Sequence, residues 1–317
     1  MRKRGEPARI VPSAPSREST IGIVAPASSF EEARLIKGCR VLNKVGRKTF
    51  FLDSILEKDL YFAGTAERRA AELEEMFRRA DIGAILCARG GYGSNHVLPV
   101  LNMGAVRAHP KMFVGYSDIT TLLTYFCDQA DMVTYHGPMV VSDYAAIPLT
   151  RFNKQLHKGL SPGALQNTLG ELTFSVGRTK QPRTGAAQGV LYGGCLSMLA
   201  ASLGTPYEIQ TENTILFIED VNTKPYQIDR MLMQLKQAGK FKSVRGFIFG
   251  EMTGCVQPGG QDYSLSDVIV RVLGDLKVPI GYGLGSGHVT RPWNVTLPIG
   301  APFKLVVEEK RATLTGL

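Results

Sequence analysis

A serine, two carboxylates and a histidine lie just after apolar runs or in a glycine-rich stretch, and they could together hydrolyse an acyl bond. Ser117 lies in the stretch GYSD at 115–118, directly after the apolar pair Phe113-Val114. A strand that turns sharply into a helix exposes such a hydroxyl beside free backbone amides, although the G-x-S-x-G pattern of nucleophile elbows is absent. Serine and aspartate are also common helix caps, so the local pattern leaves both roles open for Ser117 and Asp118.

The carboxylates are Glu219 and Asp220, which follow an apolar run, and His288 ends the glycine-rich stretch GLGSGH at 283–288. Each carboxylate could be a solvated loop residue, a helix cap or the group that orients a histidine. Free serine is a poor nucleophile, so it needs a base beside its hydroxyl and a third group that fixes the tautomer of that base. Serine, carboxylate and histidine follow one another here in the chain order of α/β-hydrolase triads.

Two further segments compete for these roles or support them. His136, in the stretch YHGP at 135–138, is a rival base because it is close to Ser117 in sequence. The stretch RGGYG at 89–93 follows an apolar run and could present backbone amides to a tetrahedral oxyanion. It could equally be a plain tight turn or a phosphate-binding nest.

The elements that position these residues alternate between strand and helix in the first half of the chain. Apolar runs without polar side chains are typical of buried parallel strands, and helical spacing with terminal caps indicates helices. The pattern predicts strands at 20–25, 48–52, 82–87 and 111–114, and helices at 30–45, 65–80 and 118–129. Such alternation indicates a parallel sheet, in which functional residues collect beyond the carboxyl ends of the strands.

The alternation stops at 148–189, a stretch rich in Gly, Pro, Lys, Arg and Thr that is predicted to be a connecting segment. Beyond it the pattern predicts helices at 194–203, 228–239 and 265–276, strands at 214–218, 246–250 and 279–283, and a hairpin of 303–307 with 311–314. The sequence therefore predicts a disordered lead-in at 1–19, an N-terminal domain at 20–147 with the serine, and a C-terminal domain at 190–317 with Glu219 and His288.

The composition narrows the class of protein. The chain has 317 residues, 44% of them hydrophobic, and a formal charge of +9. The basic residues are scattered rather than concentrated on one stretch or interleaved with aromatics, which argues against a nucleic-acid partner. A substrate with several carboxylates would suit the positive charge. The sequence shows no signal-peptide core and no apolar stretch of about 18 residues, so no membrane partner is expected and the cytoplasm is the expected location.

The cysteines do not indicate a disulfide framework or a zinc site. They are odd in number and widely spaced, and none forms a C-x-x-C pair. We expect most of them to be small buried hydrophobic residues: Cys39, Cys87, Cys127, Cys195 and Cys255.

Eight segments in the same order as in a known family lie between about residues 20 and 300. They are IGIVAPAS from 21, YFAGTAERRAAEL from 61, CARGGYGS from 87, VGYSDIT from 114, YHGPM from 135, GGCLSML from 193, FIEDVNTKPYQIDRML from 217 and GHVTRPWNVTLPIG from 287. On these segments the chain resembles the LD-carboxypeptidases, serine peptidases that include muramoyltetrapeptide carboxypeptidase and the microcin C self-immunity peptidase.

The resemblance implies a Ser-Glu-His triad on Ser117, Glu219 and His288. It also implies an oxyanion hole made by the amide of Asp118 and one amide of the glycine turn, that of Gly90 or Gly91. The implied architecture is α/β, with a doubly wound, mostly parallel N-terminal domain, a smaller α/β C-terminal domain and the active site between them. Homodimers are implied, and neither a metal nor an organic cofactor is expected.

The implied activity is hydrolysis of an L,D-peptide bond that releases terminal D-Ala from murein tetrapeptides, as in peptidoglycan recycling. One alternative is a microcin-immunity-type peptidase that cleaves aminoacyl-sulfamoyl or phosphoramidate adenylates, for which Trp293 could provide a stacking surface. Another is a non-catalytic binding module on the same fold. A carboxypeptidase must also bind a free carboxylate, which suits the bidentate fork of arginine, and the candidates are Arg89, Arg230 and Arg291.

Overall fold

The computed structural model describes residues 9–16, 18–146, 171–175, 183–256, 259, 262–288 and 294–317. The described residues form two compact units. The N-terminal unit contains those of 9–146 together with 296–298, and the C-terminal unit contains the others. Each unit has one β-sheet with associated helices, so the predicted α/β class is confirmed.

The sheet of the N-terminal unit has six described strands: β1 (Thr20–Val24), β2 (Thr49–Phe50), β3 (Ile82–Cys87), β4 (Met112–Gly115), β5 (Thr134–His136) and β11 (Leu297–Ile299). Their order across the sheet is β11-β5-β4-β3-β1-β2. The pairs from β2 through β1, β3 and β4 to β5 are all parallel, as predicted. The sequence patterns did not predict β5 and β11, which have three residues each.

The helices of the N-terminal unit connect these strands. They are α1 (Glu32–Lys44), α2 (Ala66–Arg78), α3 (Ser94–Val97), α4 (Met103–Ala108) and α5 (Thr120–Gln129), with short 3₁₀ turns at Asp53–Leu56, Ser117–Ile119 and Tyr144–Ala146. Helix α2 begins where predicted, because the side chain of Thr65 accepts a hydrogen bond from the Arg68 amide at 3.2 Å. That cap satisfies one of the free amides of the first helical turn.

Residues 9 and 10, in the described part of the predicted lead-in, make contacts with the N-terminal unit. Ile10 forms a parallel bridge with Met132, and its amide donates to the Asp131 carbonyl at 2.7 Å. Arg9 adds a hydrogen bond to the Cys127 carbonyl at 2.9 Å. Backbone pairing and a cation at a helix C-terminus therefore fix this stretch despite its prolines.

The sheet of the C-terminal unit has seven described strands: β6 (Glu171–Ser175), β7 (Gly185–Cys195), β8 (Thr214–Val221), β9 (Gly246–Thr253), β10 (Ile280–Tyr282), β12 (Pro302–Val307) and β13 (Arg311–Gly316). Their order is β10-β9-β8-β7-β12-β13-β6. The strands from β7 to β10 pair in parallel, whereas β7, β12, β13 and β6 pair antiparallel. The helices are α6 (Leu196–Ala201), α7 (Pro225–Gln237) and α8 (Leu265–Leu273), and a 3₁₀ turn follows at Gly274–Leu276.

Strand β7 differs most from the sequence prediction. Part of it lies in the predicted connecting segment, and the helix predicted at 194–203 begins only at Leu196. Its glycines resemble a loop in sequence, but a Cβ on Gly193 would lie 2.2 Å from the Phe217 carbonyl oxygen of β8. The glycines therefore permit close approach between strands. The C-terminal sheet has seven described strands, and the N-terminal sheet has six.

The interiors of both units are apolar, and the hairpin of β12 and β13 forms as predicted. All five cysteines are buried and lie outside disulfide bonds, which confirms their expected character. Burial raises the pKa of the Cys87 and Cys195 thiols well above its ordinary value. Within the described ranges, every helix is too short or too polar to cross a membrane.

Candidate active site

Ser117 occupies a strained turn at the end of a buried strand. It follows β4 by two residues and begins the 3₁₀ turn that leads into α5. Its φ is +64°, in the left-handed region that side chains other than glycine and asparagine rarely adopt. Strain of this kind persists where the surroundings enforce it and is frequent at functional sites. The predicted sharp turn at Ser117 is therefore present, with its side chain half-buried.

The glycine turn at 89–93 lies directly against the serine. A Cβ on Gly90 would be 2.8 Å from Ser117 Cβ, 3.1 Å from its Oγ and 3.3 Å from the amide nitrogen of Asp118. Any larger residue at 90 would displace the serine. The backbone of Gly90 therefore packs against Ser117 and lies close to the amide of Asp118.

A serine that the sequence patterns missed fixes the other side of the glycine turn. Ser28 Oγ accepts a hydrogen bond from the Tyr92 amide at 3.0 Å, and the Ser28 amide donates to the Gly90 carbonyl at 3.4 Å. Gly91 has a φ of +106°, and a Cβ there would lie 2.3 Å from Ser28 Oγ. The motif IGIVAPAS contains Ser28, and that was the only sequence signal for it.

The C-terminal unit brings Glu219 and His288 together. Glu219 Oε2 lies 2.7 Å from His288 Nδ1 and accepts a second hydrogen bond from the His288 backbone amide at 3.1 Å. The Glu219 side chain is 0% exposed, whereas 19% of the His288 side chain is exposed. A proton on Nδ1 would be donated to this carboxylate, and the unprotonated Nε2 could then act as the proton acceptor.

The loop that carries His288 is shaped by a glycine and an asparagine. Gly287 has a φ of +114°, and a Cβ there would lie 2.5 Å from Glu219 Oε2. The buried amide of Asn294 accepts from the Gly287 amide at 3.1 Å and donates to the Gly287 carbonyl at 2.9 Å. Asn294 is a second residue that the sequence patterns missed, and it lies in the segment GHVTRPWNVTLPIG.

The two neighbouring carboxylates, Glu219 and Asp220, have different hydrogen-bond partners. Both lie inside β8 rather than beyond its end, and the register with β9 shifts between Ile218 and Asp220. Asp220 accepts hydrogen bonds from the amide and hydroxyl of Ser197 at 2.9 and 2.7 Å, and from Thr223 Oγ1 at 2.8 Å. Asp220 therefore stabilises the start of α6, and Glu219 is the carboxylate that holds the histidine.

The rival base, His136, is fully buried on β5. It pairs with Gly115 of the neighbouring strand β4, and its ring centroid lies 5.9 Å from that of Tyr116. His136 is therefore enclosed by protein, whereas 19% of the His288 side chain is exposed. Its position favours packing beside β4.

The structure describes two of the four residues that were predicted to contact the substrate. Arg89 is half-buried on the glycine turn and donates to the Ser29 carbonyl at 3.3 Å. Arg230 is exposed on α7. Arg291 and Trp293 lie outside the described residues. In the part of the chain that the structure describes, no group of three or more His, Cys, Asp or Glu side chains could hold a metal ion.

Comparison with known proteins identifies the family. The model of the LD-carboxypeptidase N-terminal domain matches residues 21–137, and that of the LD-carboxypeptidase C-terminal domain matches residues 188–305. The chain therefore belongs to the LD-carboxypeptidase family.

Individual relatives cover nearly the whole chain. The probable murein peptide carboxypeptidase of Bacillus subtilis is 36% identical and covers 96% of this chain and 93% of its own. The microcin C7 self-immunity protein MccF of Escherichia coli is 28% identical, covering 92% of this chain and 90% of its own. The solved muramoyltetrapeptide carboxypeptidase of Oxalobacter formigenes has a TM-score of 0.81 at 26% identity, covering 93% of this chain and 98% of that one.

Proposed function

We propose that the protein is a serine-type LD-carboxypeptidase with Ser117 as nucleophile, His288 as general base and Glu219 as the residue that orients the base. The observation that carries the proposal is the 2.7 Å contact between Glu219 Oε2 and His288 Nδ1, made by a carboxylate with 0% exposure. A buried carboxylate on Nδ1 supports a base at Nε2, which is what a serine nucleophile needs. The strained turn at Ser117 supports its part in the set.

In the first half-reaction, His288 Nε2 takes the proton of the Ser117 hydroxyl as Oγ attacks the carbonyl carbon of the scissile bond. A bond forms between Oγ and that carbon, and the carbonyl electron pair moves to the oxygen. When the tetrahedral intermediate collapses, the C–N bond breaks and His288 gives its proton to the leaving amine. The products are an ester on Ser117 and a free D-amino acid.

In the second half-reaction, water replaces the amine. His288 takes a proton from water as the water oxygen attacks the ester carbon, and the proton returns to Ser117 Oγ when the C–O bond breaks. Glu219 keeps its own charge throughout and stabilises the imidazolium that forms in each half-reaction. The enzyme returns to its starting state without any co-reactant besides water.

Backbone amides would stabilise the negative oxygen of both intermediates. The amide of Asp118 follows the nucleophile directly, and the second donor is the amide of Gly90 or Gly91. The packing of Gly90 on Ser117, with a hypothetical Cβ 3.1 Å from Oγ, supports this assignment. Donors of this type are among the largest contributions to acyl-transfer catalysis.

The proposed substrate is a murein tetrapeptide that loses its terminal D-Ala, as in peptidoglycan recycling. The names of the relatives from Bacillus subtilis and Oxalobacter formigenes support this choice. A charge of +9 also suits a stem peptide with several carboxylates. The relative named for microcin C7 immunity makes an aminoacyl adenylate analogue the alternative substrate.

Recognition of the terminal carboxylate is proposed for an arginine, with Arg89, Arg230 and Arg291 as candidates. Arg89 is the first candidate to test, because it precedes Gly90, which packs on Ser117. The variant Arg89→Gln should raise KM for a peptide with a free C-terminal carboxylate and leave KM for the amidated peptide unchanged. An equal rise for both peptides would exclude carboxylate binding by Arg89.

We also propose a homodimer in the cytoplasm, as the family resemblance implies. Sedimentation velocity at micromolar concentration tests the dimer, and fractionation of cells tests the location. A species of about 35 kDa at all concentrations would contradict the dimer, since one chain has a mass of 34.6 kDa.

One mass-spectrometric experiment tests the proposed activity against its alternatives. The purified protein is offered the murein tetrapeptide and an aminoacyl sulfamoyl adenylate in the same tube. Loss of D-Ala from the tetrapeptide alone is expected, and this loss should vanish in Ser117→Ala. Cleavage of the adenylate alone would favour the immunity-type reaction. If neither is cleaved and a fluorophosphonate does not label Ser117, the non-catalytic binding module is favoured.

A further inference from the structure

Two buried charges of the N-terminal unit hold one peptide group between them. Arg69 and Asp118 are each 1% exposed. Arg69 Nη1 donates to the Gly93 carbonyl at 2.8 Å, and the Ser94 amide donates to Asp118 Oδ2 at 2.8 Å. This carbonyl and this amide belong to the same peptide group, so the cation lies at its negative pole and the anion at its positive pole.

Arg69 also connects the glycine turn to the strand and helix behind it. Its Nη1 donates to the Pro26 carbonyl at 2.6 Å, just beyond β1, and its Nε donates to the carbonyls of Gly64 and Thr65, each at 3.2 Å, at the start of α2. The guanidinium lies 4.8 Å from the centre of the Phe62 ring. One buried side chain thus joins the end of β1, the start of α2 and the glycine turn.

The backbone at Gly93 is shaped for this contact. Its φ is +137°, and a Cβ there would lie 2.8 Å from Arg69 Nη1 and 2.7 Å from Phe62 Cδ1. Only glycine allows the guanidinium to reach the carbonyl without displacing the ring. The position of this peptide group is therefore set by packing as well as by charge.

The two charges support each other across the peptide group. Burial raises the pKa of Asp118, while the hydrogen bond from Ser94 and the positive charge of Arg69 oppose that rise. Hydrogen bonds to ionised groups are shorter and stronger than neutral ones. Removing either charge would leave the other buried without its counter-charge, which is costly in the protein interior.

This arrangement fixes the glycine turn relative to the nucleophile. Asp118 is the residue after Ser117, so its carboxylate ties the nucleophile turn to Ser94 at the far end of the glycine turn. At the near end, Gly90 packs on Ser117 itself. The amides of Gly90 and Gly91 lie between these two attachments.

We propose that Arg69 and the Asp118 carboxylate are positioning residues that hold the Gly90 and Gly91 amides in place for the oxyanion, acting through the Gly93–Ser94 peptide group. The inference rests on the proposed function, since an oxyanion hole matters only if Ser117 is acylated. Neither side chain needs to touch the substrate.

The test compares neighbouring arginines of α2. Arg69→Gln removes the cation from the peptide group, whereas Arg68→Gln removes the partner of Glu72, which Arg68 Nη1 contacts at 2.9 Å. The readouts are kcat and KM on the tetrapeptide and the rate of fluorophosphonate labelling at Ser117. Arg69→Gln should lower kcat and the labelling rate roughly 10- to 100-fold, with KM within about threefold, since displacing an oxyanion donor acts on the transition state.

Arg68→Gln should lower Tm but leave the labelling rate within about twofold of wild type, because the partners of its guanidinium, Glu72 and the Ala63 carbonyl, lie outside the glycine turn. Arg69→Lys keeps the charge but has no fork to reach several carbonyls at once, so it should recover only part of the loss. If Arg69→Gln labels Ser117 as fast as Arg68→Gln, the positioning role is excluded.

A second variant keeps the test valid if Arg69→Gln does not fold. Asp118→Asn keeps an acceptor for the Ser94 amide but removes the charge, and it should lower kcat and labelling about fivefold. Unchanged labelling in Asp118→Asn would also overturn the inference. If the wild-type protein is not labelled at all, the proposed nucleophile fails and the positioning role fails with it, an outcome distinct from equal labelling of all variants.

Discussion

The proposed nucleophile and the proposed base are held in place by different means in the two units. In the N-terminal unit, Ser117 is presented by the backbone: a φ of +64°, a glycine turn with no room for a Cβ, and amides on both sides. In the C-terminal unit, His288 is presented by a buried carboxylate and by the side-chain amide of Asn294. The first arrangement should be sensitive to added atoms, and the second to lost charge or lost hydrogen bonds.

The proposed catalysis would therefore depend on backbone geometry at Ser117 and on electrostatic stabilisation at His288. Backbone amides around Ser117 carry fixed dipoles that need no reorganisation during the reaction. In the proposed mechanism His288 instead gains and loses a proton in each half-reaction, and a buried carboxylate next to Nδ1 makes these changes of charge less costly. The predictions below test this division, from the largest effect to the smallest.

Removing either reacting group should cause the largest loss. Ser117→Ala and His288→Ala should each lower kcat on the order of 10⁴-fold or more, because the two act as one unit. They differ in fluorophosphonate labelling, which should be absent in Ser117→Ala and only slowed in His288→Ala. Steady-state kinetics and intact-protein mass spectrometry measure both effects. Near-wild-type turnover in Ser117→Ala would refute the nucleophile.

Removing the charge on the base side should be nearly as severe. In Glu219→Gln the neutral amide replaces the ionised acceptor that holds the Nδ1–H tautomer of His288. We therefore expect kcat to fall on the order of 10³-fold. Asp220→Asn is the matched control, because it lies next to Glu219 but bonds Ser197 and Thr223. It should lower stability by about 1–3 kcal/mol in urea unfolding and change kcat less than about threefold. Equal losses in both variants would contradict the assignment of Glu219.

A single added methyl group should displace a reacting side chain by steric contact in either unit. Gly287→Ala places a Cβ 2.5 Å from Glu219 Oε2, and Gly90→Ala places one 2.8 Å from Ser117 Cβ. We expect kcat to fall roughly 10- to 100-fold in each, since small displacements of reacting groups are costly. Gly204→Ala is the control: its φ is +74° but its Cβ meets nothing within 4 Å.

The control variant should lose stability through its backbone conformation and keep its kcat. The two active-site variants should differ in labelling. Gly90→Ala should slow it as much as it slows turnover, because the serine itself is displaced. A kcat for Gly204→Ala as low as that of Gly287→Ala would show that the loss comes from strain rather than from contact with Glu219.

The smallest effect concerns stability and not catalysis. Burial raises the pKa of Glu72 on α2 to about 7, against the effect of Arg68. Between its unfolded value near 4.5 and about 7 the folded protein therefore binds more protons, so stability should fall as pH rises through that window. Glu72→Gln should remove about 1–3 kcal/mol of this decline, measured by urea unfolding at several pH values. The exposed residue Glu67 offers the control: Glu67→Gln should keep the wild-type decline.

Much of the fold was predictable because its central strands are short apolar runs between turns. Strand β3 was predicted at its observed bounds, and Thr65 caps α2 as its position indicated. Strand β7 was missed because its glycines, which allow neighbouring strands to approach closely, resemble a loop in one dimension. Strands β5 and β11 were missed because three residues are too few to show a period.

The candidate reacting groups could be predicted from the sequence, but the residues that hold them in place could not. Ser117 and Glu219 stand out because they follow apolar runs, and His288 stands out because it ends a glycine-rich stretch. Their roles stay predictions, although Glu219 and His288 lie in contact. Nothing in a linear pattern links Asn294 to Gly287, or Arg69 to the peptide group after Gly93, since such contacts depend on the folded chain.

The most direct test of the central claim is a rapid-quench reaction with the murein tetrapeptide, followed by digestion and mass mapping of the enzyme. We expect an ester adduct of the tripeptide acyl group on Ser117 and release of free D-Ala in the same samples. His288→Ala should show neither within the time of wild-type turnover. Release of D-Ala without an adduct on Ser117, together with undiminished turnover in Ser117→Ala, would contradict the account.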